Sequence, residues 1–171
     1  MSEIAVITDT SVLVNFLVID RTDLLSRLPN HRFVVTDHVR AEVTEIYPDQ
    51  LRRLEAAFDA GTMEEIRVTD LQEVQLFAQL TAIGLGTGEC SAIAVAAHRR
   101  LALAIDDKRA LKKIRSAGFD LAIHSTESIV VLLLQHSVLT VAEADALKQE
   151  WEQNHRFRLG FTSFAQRLGT T

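Results

Sequence analysis

The stretch IAVITDTSVLVNFLVI, residues 4–19, decides the fold of this protein. Its first part, IAVIT (4–8), is short, β-branched and bounded by polar residues, which predicts a buried strand. Asp9 follows at once, and SVLVNFLVI then has the length and apolar content of a helix. A buried strand that runs directly into a helix is typical of α/β proteins, so the same alternation is expected further along the chain.

The alternation does continue. Four more strands are expected, at RFVVT (32–36), EEIRVTD (64–70), LALAI (101–105) and LAIHS (121–125). Between and after them lie helical segments at 37–46, 49–61, 71–84, 89–100, 106–118, 126–139 and 140–153. The tail from His155 has no clear period. The pattern predicts an α/β fold with a mainly parallel central sheet, flanked by helices on both faces in three layers.

Composition limits the class of protein. A chain of 171 residues, 47% of them hydrophobic, is sufficient for one compact domain. The single cysteine, Cys90, excludes an intramolecular disulfide framework and a multi-cysteine zinc site. The N-terminal stretch has no basic lead-in and no apolar run of 18 residues, which predicts a soluble, cytoplasmic protein that does not enter a membrane.

Charge is unevenly distributed. The net charge of −5 argues at first against a nucleic-acid partner. However, seven of the eighteen Lys and Arg residues lie between Arg99 and Arg115. A local basic surface is enough to bring a protein to phosphate groups, so a nucleic-acid partner is compatible with the sequence.

Acidic residues follow two of the expected strands. Asp9 ends the first, and the pair Asp106–Asp107 ends LALAI, so these carboxylates should border one crevice at the carboxyl edge of the sheet. Glu42 lies one turn into the next helix, and Glu89 lies in the first turn of the most apolar helix. Such a cluster repels itself unless a cation neutralises it, and hard oxygen ligands suit Mg²⁺ or Mn²⁺.

Each acid also has a purely structural interpretation. Asp9 and Asp107 could cap the helices that follow them, and Glu89 would be favoured near a helix N-terminus by the helix dipole alone. Glu42 could be an exposed helix residue, as most glutamates are. Taken one at a time, the acids do not establish a site.

Four segments taken together resemble the PIN-domain family. They are ITDTSVLVNF, TDHVRAEV, GLGTGECSAIAVAA and LALAIDDKRA, and they occur in the family's order. The resemblance places the family's acids at Asp9, Glu42, Glu89 and either Asp106 or Asp107. It covers roughly residues 4–125, which implies a nuclease core at 1–125 and a C-terminal helical extension and tail of the same domain at 126–171.

The resemblance implies a ribonuclease that hydrolyses phosphodiester bonds with Mg²⁺ or Mn²⁺. Asp9, Glu89 and Asp106 or Asp107 would be metal ligands, with Glu42 completing the catalytic acids, and Ser11 would orient a metal-bound water or a phosphate oxygen.

The helix that begins at the proposed site is basic. Three of its cations are candidate contacts to the substrate's phosphates, although a plain solvated surface explains them equally well: Lys108, Arg109 and Lys112.

Partners and alternatives follow from the same residues. The family resemblance, to VapC-type toxin ribonucleases in particular, implies an antitoxin protein. Apolar residues in VVLLLQ (130–135) and in the helix at 140–152 would suit a homodimer, or would simply complete the core. Two other functions stay open: a catalytically silent PIN-like module that binds RNA or protein, and a metal-dependent phosphatase on an α/β scaffold.

Overall fold

The computed structural model describes residues 2–169. The strands are β1 (Ile4–Thr8), β2 (His31–Thr36), β3 (Glu64–Ile66), β4 (Ala102–Ala104) and β5 (Ile123–His124). The helices are α1 (Thr10–Val18), α2 (Asp23–Arg27), α3 (Asp37–Ile46), α4 (Pro48–Asp59), α5 (Leu71–Ala82), α6 (Thr87–Arg99), α7 (Lys108–Ser116), α8 (Thr126–Gln135) and α9 (Val141–Asn154), and a short 3₁₀ helix spans Phe164–Arg167.

The five strands form one parallel sheet in the order β3-β2-β1-β4-β5. The central strand is β1, whose Val6 pairs with Phe33 of β2 on one side and with Ala102 of β4 on the other. The chain therefore leaves β1 towards β2 and later returns to the other side of β1 as β4. This reversal puts a topological switch point between the carboxyl ends of β1 and β4.

Apolar side chains cover both faces of the sheet. On one face Val6 packs in a core with side chains from α1, α2, α3, α4, α8 and α9. On the other face Ile7 and Leu103 pack against α5, α6 and α7. The predicted three-layer α/β architecture is confirmed. Because β1 is buried on both faces, residues 4–7 form a continuous apolar run instead of an alternating one.

The edge strands are shorter than the sequence predicts. The third strand ends at Ile66 and not at Asp70, which instead caps α5 by accepting a hydrogen bond from Gln72 N at 2.8 Å. The fifth strand is reduced to Ile123–His124. Each edge strand pairs with one neighbour only, so local β-propensity extends beyond the residues that find a partner.

Two helical features also differ from the sequence prediction. The short helix α2 was not expected. The apolar rhythm of α5 does not face the core along its whole length, because Leu71 is 71% exposed and Val74 is 50% exposed, whereas Leu80 is buried. An apolar period therefore predicted the helix correctly but not which of its residues are buried.

The C-terminal part packs against the same core as α1. Trp151 of α9 is buried, lies edge-on to Phe16, and donates its indole N–H to the Asn15 carbonyl at 2.6 Å. In the tail Phe164 is buried, and its backbone N–H donates to Asp145 at 2.8 Å. The tail therefore has fixed partners as far as Arg167, which pairs with Glu127, although its sequence has no period.

No helix in the described range 2–169 is long and apolar enough to cross a membrane.

Candidate active site

The switch point brings Asp9 and Asp106 to neighbouring strand ends. Asp9 directly follows β1, and its backbone N–H donates to the carbonyl of Ala104 in β4 at 2.8 Å. Asp106 follows β4 by two residues. Because β1 and β4 are adjacent and parallel, the two aspartates lie at the same edge of the sheet although almost a hundred residues separate them.

Asp9 is the most deeply buried of the predicted acids. Its side chain caps α1, with Oδ2 accepting from Ser11 N at 3.3 Å and from Ser11 Oγ at 2.9 Å. Its other oxygen, Oδ1, is buried and has no hydrogen-bond partner. Burial raises the pKa of Asp9 to about 6, and the nearby charge of Glu89 adds to the rise. The cap that the sequence suggested is real, but it uses only one of the two carboxylate oxygens.

Ser11 connects the two strand ends. Its hydroxyl donates to Asp9 Oδ2 and accepts a hydrogen bond from the backbone N–H of Asp106 at 3.0 Å. The sequence predicted that Ser11 orients a metal-bound water or a phosphate oxygen. In the structure its proton points to Asp9, so the contact visible here is one that fixes the carboxylate and the β4–α7 turn.

Glu42 reaches across from α3 to the N-terminus of α6. One carboxylate oxygen accepts from Thr10 Oγ1 at 2.6 Å, and the other accepts from Gly88 N at 2.7 Å. An anion is stabilised at a helix N-terminus by free N–H groups and the helix dipole. Both oxygens of Glu42 are thus oriented by hydrogen bonds from two different helices.

Gly88 is required for this approach, since a Cβ at that position would overlap the Glu42 carboxylate. We expect Gly88→Ala to displace the flexible end of Glu42, to lower Mn²⁺ affinity about tenfold and to cost about 1–2 kcal/mol of stability through the hydrogen bonds that Glu42 loses. Isothermal titration calorimetry and thermal unfolding measure the two effects.

Gly86→Ala is the matched control for this prediction. A Cβ on Gly86 would lie at ordinary contact distances, 3.7 Å from Glu89 and 3.8 Å from Glu42. We expect this variant to bind Mn²⁺ as the unmodified protein does. Equal metal affinity in both alanine variants would show that the position of Glu42 does not influence the site.

Glu89 faces Asp107. Glu89 accepts from Gly86 N at 3.0 Å, which closes the first turn of α6, and it is about half-buried. Burial raises its pKa, and the neighbouring carboxylates of Asp107 and Glu42 raise it further. Asp107 caps α7 through one oxygen, which accepts from Arg109 N at 2.8 Å and from Ala110 N at 3.1 Å. Asp107 is thus both a cap and a neighbour of the other acids.

Asp106 is held by a different set of partners. It accepts from Thr126 N at 2.9 Å, from Thr126 Oγ1 at 2.6 Å and from Asn15 Nδ2 at 3.1 Å. Burial raises its pKa, and these hydrogen bonds oppose the rise. The two adjacent aspartates therefore have different neighbours: Asp106 contacts α1 and α8, and Asp107 faces Glu89.

Thr10, Asn15 and Thr126 were not predicted as site residues. Asn15 carried a signal, because a polar side chain within the apolar helix SVLVNFLVI must find partners when it is buried. It is 7% exposed and donates both to Asp106 and to Thr126 Oγ1 at 3.0 Å. Thr10 and Thr126 are ordinary helix-start residues in the sequence and had no such signal.

Exchanging the two aspartates for asparagine distinguishes their roles. We expect Asp107→Asn to lower Mn²⁺ affinity with little change in stability, because asparagine also caps helices well. We expect Asp106→Asn to lose about 1–3 kcal/mol of stability, because an amide N–H₂ would face the donors of Asn15 and Thr126. Calorimetry and thermal unfolding of both variants test this, and a larger metal effect in Asp106→Asn would reverse the assignment.

The fold separates the basic residues that lie between Arg99 and Arg115 in the sequence. Arg99 lies at the C-terminal end of α6 and pairs with buried Glu73 at 2.6 Å. Arg99 lies ten residues beyond Glu89 in α6, which puts this end about 15 Å from the acids. Three cations of α7 remain beside the site, where they are exposed and form no salt bridge with any acid of residues 2–169: Lys108, Arg109 and Lys112.

Comparison with known families shows to which family the chain belongs. The model of a PIN-domain family, DUF3368, matches residues 5–169. The chain belongs to the PIN-domain family. The match includes α8, α9 and the tail as well as the sheet. No curated protein sequence matches this PIN domain.

Three solved structures share the fold at low sequence identity. A PilT N-terminus domain protein from Sulfolobus solfataricus has 18% identity and a TM-score of 0.52, covering 78% of this chain and 96% of that one. PAE2754 from Pyrobaculum aerophilum has 17% identity and a TM-score of 0.52, with coverages of 77% and 91%. VapBC2 from Rickettsia felis, bound to a promoter DNA fragment, has 14% identity and a TM-score of 0.50, with coverages of 71% and 98%.

PIN domains are typically dependent on divalent metal, and the residues here fit such an ion in their chemistry. The donors are all carboxylate oxygens, the kind preferred by Mg²⁺ and Mn²⁺, and Asp9 presents a buried oxygen without a partner. The acids are not drawn tightly together, because no three Asp, Glu, His or Cys side chains of residues 2–169 already form a group that could hold one ion. Both oxygens of Glu42 and of Asp106 accept hydrogen bonds. Asp9, Glu89 and Asp107 each accept through one oxygen, so each has a second oxygen for a metal ion.

Proposed function

We propose that this PIN domain is a ribonuclease that hydrolyses RNA with bound Mg²⁺ or Mn²⁺. The observation that carries the proposal is Asp9 Oδ1, a buried carboxylate oxygen with no partner at the switch point of the sheet. An isolated buried carboxylate is costly unless a cation compensates it. Glu89 lies close enough for its charge to act on Asp9, and Asp107 lies beside Glu89, so the two would add the charge that a divalent ion needs.

Each residue has a definite part in the proposed reaction. Asp9, Glu89 and Asp107 would hold the metal, which when bound polarises the scissile phosphate and makes a nucleophile available near neutral pH. Asp106 and Ser11 fix the turn that carries Asp107, and Glu42 ties α3 and α1 to the start of α6. The cations of α7, Lys108 foremost, would contact the substrate's phosphates, since phosphate contacts position a nucleic acid.

Cleavage of a labelled RNA, with and without chelator and with added Mg²⁺ or Mn²⁺, tests the proposal. We expect metal-dependent hydrolysis of RNA but not of small phosphate esters. Turnover of phosphate esters alone would favour the phosphatase alternative.

A silent binding module is the second candidate. It is favoured by the hydrogen bonds that engage Glu42 and Asp106 and by the spacing of the acids. Calorimetry that detected RNA binding without any Mn²⁺ binding would support it against the ribonuclease.

We also propose an antitoxin as protein partner, which would make the chain the toxin of a toxin–antitoxin pair in the cytoplasm. A VapBC2 complex is among its structural neighbours, and a crevice lined by acids would accept an inserted cationic side chain. A small protein encoded beside this chain that co-purifies with it and inhibits cleavage would support the pairing. Cleavage that is unaffected by such a protein would contradict it.

A homodimer is a further proposal, and from the predicted apolar surface it could use partly buried residues such as Val131 and Leu132. Ala144, Leu147 and Trp151 of α9 are buried within the molecule, where they complete the core. Light scattering at high protein concentration distinguishes a monomer from a dimer.

A further inference from the structure

The tail after α9 forms one wall of a cavity beside the acids. The cavity has a volume of about 280 Å³ and is bounded by the end of β4, the start of α7, the start of α8 and residues 157–160. Asp106 and Lys108 line it from the site side, and Phe157 and Arg158 line it from the tail side. The cavity therefore adjoins the candidate active site at Asp106, and the other acids of the site do not line it.

The charges around the cavity favour an anionic ligand. Lys108 and Arg158 are both exposed, and neither forms a salt bridge with an acid of the described chain. Glu127 also lines the cavity, but it pairs with Arg167 at 2.9 Å. The acid that interacts electrostatically with Arg158 is Glu152, which already pairs with Lys148 at 2.7 Å. Asp106 is the one other lining acid, and the two cations outnumber it, so they remain available to a phosphate group.

The tail wall is firmly attached to the site. The Phe157 ring stands edge-on to Trp151 with the ring centres 5.5 Å apart. Trp151 in turn donates to the Asn15 carbonyl, and the Asn15 side chain donates to Asp106. An aromatic ring fixed in this way can stack on a base of any identity.

We propose that residues 157–160, together with Lys108, form a subsite that binds a nucleotide flanking the scissile phosphate of a single-stranded RNA. The proposal rests on the ribonuclease function and adds to it a substrate-binding role for the tail. The small volume suits one nucleoside and not a duplex, since pockets for drug-sized ligands begin at about 300 Å³. Arg158 and Lys108 would contact the phosphates on the two sides of that nucleoside.

Arg158→Ala tests the subsite, with Arg156→Ala as the matched control. Both arginines are exposed and both lie in the tail, but Arg156 does not line the cavity. Binding of a short fluorescent single-stranded RNA is measured by anisotropy at several salt concentrations, in a full chain that also carries Asp9→Asn to prevent cleavage. Cleavage of the same RNA is measured with Asp9 intact.

We expect Arg158→Ala to weaken RNA binding about fivefold and to reduce the slope of log K against log salt by about 0.7, the value for one lost phosphate contact on a single strand. Arg156→Ala should change neither. No loss of binding in Arg158→Ala, or an equal loss in both variants, would overturn the subsite and leave the cavity for a protein segment.

The two proposals fail in different ways. Binding that depends on Arg158 but without cleavage by the unmodified protein would contradict the ribonuclease and support the subsite. Metal-dependent cleavage that is equal in Arg158→Ala and Arg156→Ala would support the ribonuclease and overturn the subsite.

Discussion

Replacing Asp9 with asparagine is expected to reduce metal-dependent RNA cleavage about a thousandfold while it stabilises the metal-free protein. A divalent metal supplies several kcal/mol of transition-state stabilisation, and each 1.36 kcal/mol corresponds to a factor of ten in rate. Asp9 Oδ1 is the buried, unpartnered oxygen of the site, so its loss should remove most of that effect. A kcat close to that of the unmodified protein would refute this role.

The stabilising effect follows from the pKa of Asp9. Its pKa is about 6 in the folded protein against 3.8 in a solvent-exposed chain, so folding favours the protonated form. The free energy of unfolding of the metal-free protein is therefore highest, as far as this group is concerned, below about pH 3.8. It falls as the pH rises towards 6, by up to about 3 kcal/mol.

Asparagine carries no charge, so Asp9→Asn should lack this pH dependence. Thermal unfolding in the presence of chelator should show a higher midpoint for the variant at pH 7.5 and little difference near pH 4. Added Mn²⁺ should stabilise the unmodified protein and not the variant. The control is Asp120→Asn, an exposed aspartate away from the acids, which should change none of these quantities.

Replacing Trp151 with alanine is expected to cause the largest loss of stability, about 4 kcal/mol. The indole is fully buried between Phe16 and Phe157, and its N–H bonds to Asn15. Trp151→Phe should cost only about 1–2 kcal/mol, because it keeps an aromatic ring but leaves the Asn15 carbonyl without its donor. The difference between the two variants separates packing from the hydrogen bond.

Trp151 is the only tryptophan, so circular dichroism in a denaturant titration must replace fluorescence for these variants. We expect one cooperative transition in each, since α8 and α9 share a core with α1. Two separate transitions would show that the segment 126–171 folds independently of the sheet, and an unchanged stability in Trp151→Ala would contradict the packing role of the indole.

Most of the fold could be predicted from the sequence. The helix at Asp37–Ile46 and the strand at Ile4–Thr8 agree with the structure to the residue, because caps and apolar content are local signals. The lengths of β3 and β5 could not be predicted, since they depend on which residues find a neighbouring strand. Which residues of α5 are buried could not be predicted either, because the apolar period of the helix does not show where the core ends.

The sequence predicted where the acids lie but not which contacts each of them makes. Asp9 and the pair Asp106–Asp107 follow from the rule that ligands bind at the carboxyl ends of parallel strands. The different contacts of Asp106 and Asp107 could not be predicted from the sequence. They are decided by Asn15 and Thr126, which are 91 and 20 residues away from Asp106.

The stretch IAVITDTSVLVNFLVI thus determined by itself a buried strand, a helix after it and an acid at their junction, because all three depend on neighbours in the chain. Only the tertiary structure decided that Asp9 keeps one oxygen without a partner, that Asp107 and not Asp106 faces Glu89, and that a tail without any period lines a cavity beside them. These features depend on contacts between residues far apart in sequence, and such contacts exist only once the helices have packed on both faces of the sheet.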